Sequence, residues 1–380
     1  MAGAAASPRA ATVNAGDAGL SADRRGALVD AVQANCHIAD ARHATDLPLC
    51  IYLLQMREFY RWEHGLALGA ELDRAAVGLW LSRREALWAD VEERALVPLP
   101  LGDRLFDPHD ADTLNAELMP CGFVYGAGLA AAQRPTFFLA RLQRVQQRDD
   151  GLLLQVADRE LARGLFAPPA ALANGHTIVL RRESLARWLW EKFEAFSLRR
   201  ADGPFKALTE TYALHDSEAF VAALPRLVDE LCETLLLHEL GEHRAGQWLD
   251  PDWAAMRLTL DQRRTDLHVR AVRDHIADLE VTLPTLLQRG APGPLHFWFA
   301  NYEGVRARMF PALASAYVAW RNGDAGAALS RAAQVGAVHF RSLAEQVLAL
   351  HGQLGGRASA DIDRLLISPS AVCAARDGHR

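Results

Sequence analysis

No C-x-x-C pair occurs in the chain. Its five cysteines, Cys36, Cys50, Cys121, Cys232 and Cys373, are odd in number and widely scattered. That argues against a disulfide framework or a zinc finger and fits a reducing cytoplasm. A dense Lys/Arg stripe is also missing and the formal net charge is -6, so the basic face that neutralises phosphates is absent and a nucleic-acid partner is excluded. No run approaches the roughly 18 apolar residues of a membrane span. Residues 1–25, rich in Ala and Gly, lack the continuous apolar centre of a secretory signal. A cytoplasmic protein with no membrane partner is expected. There is no solenoid-period repeat and no low-complexity tract. Gly126-x-Gly128 lacks the strand-to-helix context of a dinucleotide loop and no phosphate-binding loop occurs, so no nucleotide cofactor is expected.

What the chain does have is length and apolar content. Its 380 residues are 50% hydrophobic and 23% charged, enough for a sizeable core. Apolar spacing predicts helices over 21–43, from 49 past Tyr60, 72–94, 183–198, 225–244, 266–283, 295–321 with a bend at Pro311, and 325–350, with a separate segment over 252–260. A short helix is expected near 112–118 within a connection rich in Pro and Gly. The β signal is confined to 136–146, 152–156 and 177–180, with a turn at Asp149-Asp150-Gly151. The expectation is a mainly α protein, a multi-helix bundle with a small antiparallel β insertion. Its regions are a disordered tail over 1–23, helices over 24–134, the β insertion over 135–182, helices over 183–360 and a flexible tail over 361–380.

One stretch concentrates chemistry: Leu236-Leu237-His238-Glu239-Leu240-Gly241-Glu242-His243-Arg244. Four metal-ligand side chains stand at i, i+1, i+4 and i+5, the helix side that also carries Leu227, Val228, Leu231 and Leu235. Buried acids and imidazoles are costly unless paired, protonated or metal-bound, so this face is a site candidate. The zinc-peptidase motif H-E-x-x-H fails, since Glu242 holds the position of the second His and one residue rotates His243 by about 100°. What stands is H-E-x-x-E, in which His238 and Glu242 share a metal and Glu239 and His243 form a second i, i+4 pair. The bland reading, His and Glu hydrogen-bonded at a half-buried helix end, has equal weight.

A metal needs ligands from other helices. His268 and His275 fall on the apolar face of the helix over 266–283, with Asp278 three residues after His275, whereas Asp274 projects toward solvent with Arg270. Glu63 lies on the apolar stripe of the second helix. Arg306 projects among Trp298, Phe299, Tyr302 and Met309. A guanidinium cannot deprotonate there, so it clamps a substrate carboxylate or bridges to a neighbouring Glu or to Glu303, the bridge being favoured.

The segments Asn35-Cys36-His37-Ile38-Ala39-Asp40-Ala41-Arg42-His43-Ala44, Tyr52-Leu53-Leu54 through Tyr60-Arg61-Trp62-Glu63, and His238-Glu239-Leu240-Gly241-Glu242 resemble an uncharacterised bacterial family of hypothetical proteins. The resemblance implies a cytosolic bacterial protein and no activity. From the residues themselves, the expectation is a metal-binding helical protein, favoured as a non-haem iron or manganese oxidoreductase acting on a small-molecule substrate. Its metal ligands would come from Glu63, His238, Glu239, Glu242, His243, His268, His275 and Asp278, with Glu239 and Arg306 in catalysis. The alternatives are a non-catalytic helical scaffold or interaction protein, and a zinc-dependent hydrolase.

Overall fold

The structure is a computed structural model describing residues 10–11, 20–130, 134–148, 150–173, 175–249 and 251–368. The chain is mainly α. It divides into two units, Met1–Arg199 with Asp216–Val228, and Arg200–His215 with Asp229–Arg380.

In the first unit, Ser21 caps α1 (Ala22–His43) by accepting from the Arg24 amide. The helix buries Leu28, Val32, Cys36 and Ala39. Two helices follow, α2 (Leu49–Glu63) and α3 (Arg74–Val91), the second capped by Asp73. They share a core built on Met56, Phe59 and Trp88. The strands are β1 (Ala10–Ala11), β2 (Leu99–Leu101), β3 (Arg104–Phe106), β4 (Phe123–Ala130), β5 (Arg134–Gln147), β6 (Leu153–Arg163), β7 (Ala170–Ala173) and β8 (Thr177–Arg181), with α4 (Ala111–Leu118) between β3 and β4. β2 and β3 form a hairpin. The others make one sheet in the order β1-β5-β6-β8-β7, with β4 also paired to β5. β8 leads directly into α5 (Arg182–Arg199).

The sheet is therefore larger than the sequence pattern suggests, and the chain is not all-α. It is mixed rather than antiparallel, because β6 and β8 run parallel from Leu153↔Thr177 to Ala157↔Arg181. The strand β4 is hidden from pattern reading by Gly126, which marks a close approach rather than a turn. It pairs with Phe138 across the sheet, and a Cβ there would lie 2.0 Å from that ring. Nor is the strand region packed apart from the helices before it. Leu28 and Val32 of α1, Leu114 of α4, and Phe137 and Leu139 of β5 belong to one buried cluster, so the early helices and the strands share a core.

Asn115 ties α4 to the sheet. Its Nδ2 donates to the Tyr125 carbonyl at 2.8 Å and its Oδ1 accepts from the Tyr125 amide at 2.8 Å, both buried. Asn115→Ala leaves a backbone donor and acceptor unsatisfied and is expected to cost about 1–3 kcal/mol. A urea midpoint that does not move would show that the pair contributes nothing.

The second unit begins with α6 (Pro204–Thr211). The long helix α7 (Ser217–Leu249) starts two turns before the expected Pro225, which it carries inside it, and belongs to this unit from Asp229 onward. Then come α8 (Asp252–Thr259), α9 (Arg263–Ala277), a π-helical turn over Asp278–Thr282, and α10 (Leu283–Arg289). The helix expected over 295–321 is three: α11 (Pro292–Ala300), α12 (Gly304–Met309) and α13 (Pro311–Arg321). Finally α14 (Ala327–Leu354) and α15 (Ser359–Ile367) close on a core that includes Trp253, Val272, Ile276, Phe310 and Phe340. The tail expected from 361 is thus structured through Ile367, with Ile362 and Leu366 buried. Residues 369–380, and residues 1–9 and 12–19 of the expected N-terminal tail, lie outside the described residues. Among the described residues, no helix is long and apolar enough to cross a membrane.

Candidate metal centre

Two helices supply the imidazole and the carboxylates of the second unit's centre, and each does so with the same spacing. His238 and Glu242 are four apart on α7, and Asp274 and Asp278 are four apart along α9 into the π turn. An i, i+4 pair lies on one helix face. Gly241 stands between the first pair and Ala277 between the second. A Cβ on Gly241 would lie 2.5 Å from the Ala277 carbonyl oxygen. The two backbones therefore touch at this point, and only glycine permits the approach. Each helix then presents its pair across the contact.

Asp278 is the fixed point. It is 1% exposed. Its Oδ1 accepts from His238 Nδ1–H at 2.9 Å and from Trp298 Nε1–H at 3.1 Å, and its Oδ2 accepts from Arg306 at 3.0 Å. Burial alone would protonate it. The His238 and Arg306 charges and the Trp298 hydrogen bond reverse that and hold the carboxyl below the usual range. For His238, burial works against the charged ring, but Asp278, then Glu242 and Glu239, push its pKa up to about 10. Asp274 is pushed up to about 6 by burial, opposed by Arg306 and reinforced by Glu242.

Because Asp278 takes Nδ1, the other ring nitrogen of His238 is left on the Glu242 side, with Nε2 3.8 Å from Oε1. One donor atom each from His238, Glu242 and Asp274 lie within 4.8 Å of one another, all three residues half-buried. Donors around a first-row ion at about 2.0–2.2 Å lie about 3–4 Å apart, so modest side-chain rotation closes the set. A carboxylate on the far nitrogen of a ligating imidazole is the usual way its tautomer and direction are fixed. The π turn starts at Asp278 itself, and single π turns recur at functional sites. Pro284, which follows in α10, has no N–H to return to Glu280.

Of the expected site residues, the structure brings together His238, Glu242 and Asp278, with Arg306 as the bridge. Its carboxylate partner is Asp278 rather than a Glu or Glu303, and its other nitrogen donates to the Asn301 carbonyl at 2.8 Å. Glu239 is buried beside His238 and His243 lies 3.1 Å from Gln247, but neither belongs to the converging donor set. Three others lie against other partners. Glu63 belongs to the first unit, where both its oxygens hold Arg84 at 2.6 Å. His268 lies 3.2 Å from Asp363. His275 is stacked on Phe340 at 4.1 Å with Nε2–H donating to the Arg306 carbonyl at 3.2 Å. Burial and Arg306 lower its pKa to about 3, so it is a neutral core residue.

The residue that sequence reasoning misses is Asp274. Placing it toward solvent assumes that α9 has one buried face. In fact the helix is enclosed nearly all round, burying Thr265, Asp266, His268, Val269, Val272 and Ile276. The usable signal was the repeated i, i+4 spacing of His238/Glu242 and Asp274/Asp278.

Asp278→Asn removes the charge opposite the imidazolium. The His238 ring is expected to titrate well below about 10, toward the ordinary imidazole range, in a proton NMR titration. An unchanged titration would show that another group holds the proton.

The chain belongs to a family of unknown function, DUF6866. The N-terminal domain of that family matches residues 27–181 and its C-terminal domain matches residues 186–369. No curated protein and no solved structure matches the chain.

Proposed function

We propose that the second unit binds one divalent first-row metal ion through His238, Glu242 and Asp274, with Asp278 and Arg306 setting the charge and the ring orientation. The observation that carries this reading is the convergence of three donors, one imidazole and two carboxylates, from two helices that meet at Gly241 and Ala277. Metal sites in helical proteins are commonly built this way, from acids and imidazoles on facing helices. One imidazole with two carboxylates favours manganese or iron over softer-ligand metals, with zinc less suited. When bound, such an ion supplies Lewis acidity and, for iron or manganese, one-electron redox chemistry for a small-molecule substrate. Three protein ligands would leave the remaining coordination positions to water or substrate.

Charge balance supports the same reading. Glu242, Asp274 and Asp278 carry three negative charges when ionised, and Arg306 carries one positive. A divalent ion with neutral His238 closes the sum to zero. Without the ion, the His238 proton does part of that work: Asp278, then Glu242 and Glu239, raise its pKa against burial, while Asp274 is raised first by burial and then by Glu242.

The sign of the pH dependence follows. A raised folded-state pKa contributes stability that is present at low pH and lost as pH rises, through about 6 for Asp274 and about 10 for His238. The ion replaces those protons, so its affinity runs the other way. Manganese affinity by calorimetry is expected to rise about tenfold per pH unit from neutrality upward, one proton being displaced from His238. No binding at any pH in this range would end the proposal.

A second reading is favoured by one observation: Asp278 is fully satisfied by three donors from the protein alone. On that reading the cluster is a structural ion-pair network in a non-catalytic scaffold. It requires Glu242→Gln and Asp274→Asn to move thermal stability with no change in metal content.

A further inference from the structure

The first unit contains a cleft of about 450 Å³ that the metal centre does not use. One stripe of α3 forms its longest wall: Glu85, Trp88, Ala89 and Glu92 stand at i, i+3, i+4 and i+7, which is one helix face. The first turn of α2 adds Leu49 and Tyr52. Trp88 is 5% exposed and belongs to the core beneath, whereas Leu49 is 70% exposed. A bare leucine beside an apolar hollow is a surface that an aliphatic ligand can cover.

The charge of this lining has one sign. Glu85 and Glu92 are its charged members, and no Lys, Arg or His stands among the lining residues. Both acids are exposed, so a ligand reaches them from solvent. Neither is paired with a cation among the described residues. Glu85 accepts from the Tyr52 hydroxyl at 3.0 Å, and burial with the Glu85 charge pushes that phenol up, so it stays a neutral donor. Arg42 gives its Nε and Nη2 to the Glu92 and Arg94 carbonyls, at 2.8 and 2.6 Å, rather than to the Glu92 carboxylate. The two acids do not belong to a metal-competent cluster, and the apolar surface between them suits a cation that carries a hydrocarbon body.

We infer that this cleft binds a primary alkylammonium ion, its N–H donors on the Glu85 and Glu92 side and its aliphatic body against Trp88, Leu47 and Leu49. Binding is non-covalent and needs no metal, so the inference is independent of the second unit's centre.

Octylammonium, octanoate and 1-octanol, titrated calorimetrically into the full chain at neutral pH, test the headgroup. Octylammonium is expected to bind at least about tenfold more tightly than either of the others, the margin of one charge-assisted contact. Equal affinity for octanol, preference for octanoate, or no octylammonium binding overturns the assignment. Variants test the location. Glu85→Gln with Glu92→Gln changes two exposed side chains and keeps their shape, so the fold is retained; the preference for octylammonium over octanol is expected to vanish. Glu71→Gln with Glu218→Gln makes the same change in net charge at exposed positions outside the lining, and affinity is expected to stay within about twofold of the parent. A preference lost equally in both, or kept in the first, shows that the overall negative charge of the chain and not this cleft draws the amine. Ala89→Phe puts a ring on the cleft wall at an exposed position and leaves both acids in place. It is expected to weaken octylammonium at least about tenfold, and affinity within about twofold of the parent would place the ligand elsewhere.

Discussion

Protein purified from manganese- and iron-supplemented medium, without chelators, is expected to carry close to one equivalent of metal. Asp274→Asn and His238→Ala are expected to carry almost none. Each variant removes one of three donors, and even residues that only orient a ligand cost about 10–100-fold in affinity when lost; a donor itself should cost more than about 100-fold. Asp274→Asn is the sharper experiment, because it keeps the shape and removes only the charge and an oxygen donor. Its thermal stability without metal is expected to rise or hold, since burial disfavours the charged form of the parent's carboxyl and pushes its pKa up to about 6. Loss of metal with retained stability is a combination that the ion-pair network cannot produce. An element analysis showing no transition metal in the parent protein would leave the network as the correct reading.

The second large effect belongs to Gly241. Its α-carbon is the point where α7 meets α9, with the Ala277 carbonyl oxygen 2.5 Å from where a Cβ would stand. A real side chain cannot occupy that place, and the obstruction is backbone rather than a flexible tip. Gly241→Val is therefore expected to force the helices apart and destabilise the second unit by about 3 kcal/mol, the upper part of the usual overpacking range. The same displacement separates His238 and Glu242 from Asp274, so metal affinity should fall together with stability. Calorimetric melting and metal content measured on one preparation test both. A Gly241→Val protein that melts with the parent would show that the contact is looser than the structure has it.

These experiments concern a cluster that was half legible beforehand. The spacing of His238 and Glu242 could be read directly, because an i, i+4 pair on one helix is a local property of 3.6 residues per turn. Asp278 was expected as a ligand three residues after His275, and it instead accepts from His238, Trp298 and Arg306. Asp274 was not, since the side on which a helix is covered depends on how many neighbours it has, and α9 has them all round. Glu63, His268 and His275 were drawn into the ring for the opposite reason. Each is a polar group among apolar ones, and each lies against a partner outside the ring: Arg84, Asp363 and the Arg306 carbonyl. Sequence shows that such a residue must be satisfied, and does not show by whom.

The fold divides along the same line. The caps at Ser21 and Asp73, the run of α1 to His43, the short helix ending at Leu118 and the strands around β5 and β6 follow from local signals that the residues carry wherever they are placed. Tertiary structure alone decided that Gly126 lies within a strand under Phe138, that β8 joins β6 in parallel, and that the early helices share a core with the sheet. It alone decided that Gly241 and Ala277 meet. Periodicity is a property of a few consecutive residues, whereas pairing, enclosure and the choice of charge partner are settled between residues distant in the chain, where sequence carries no direct distance.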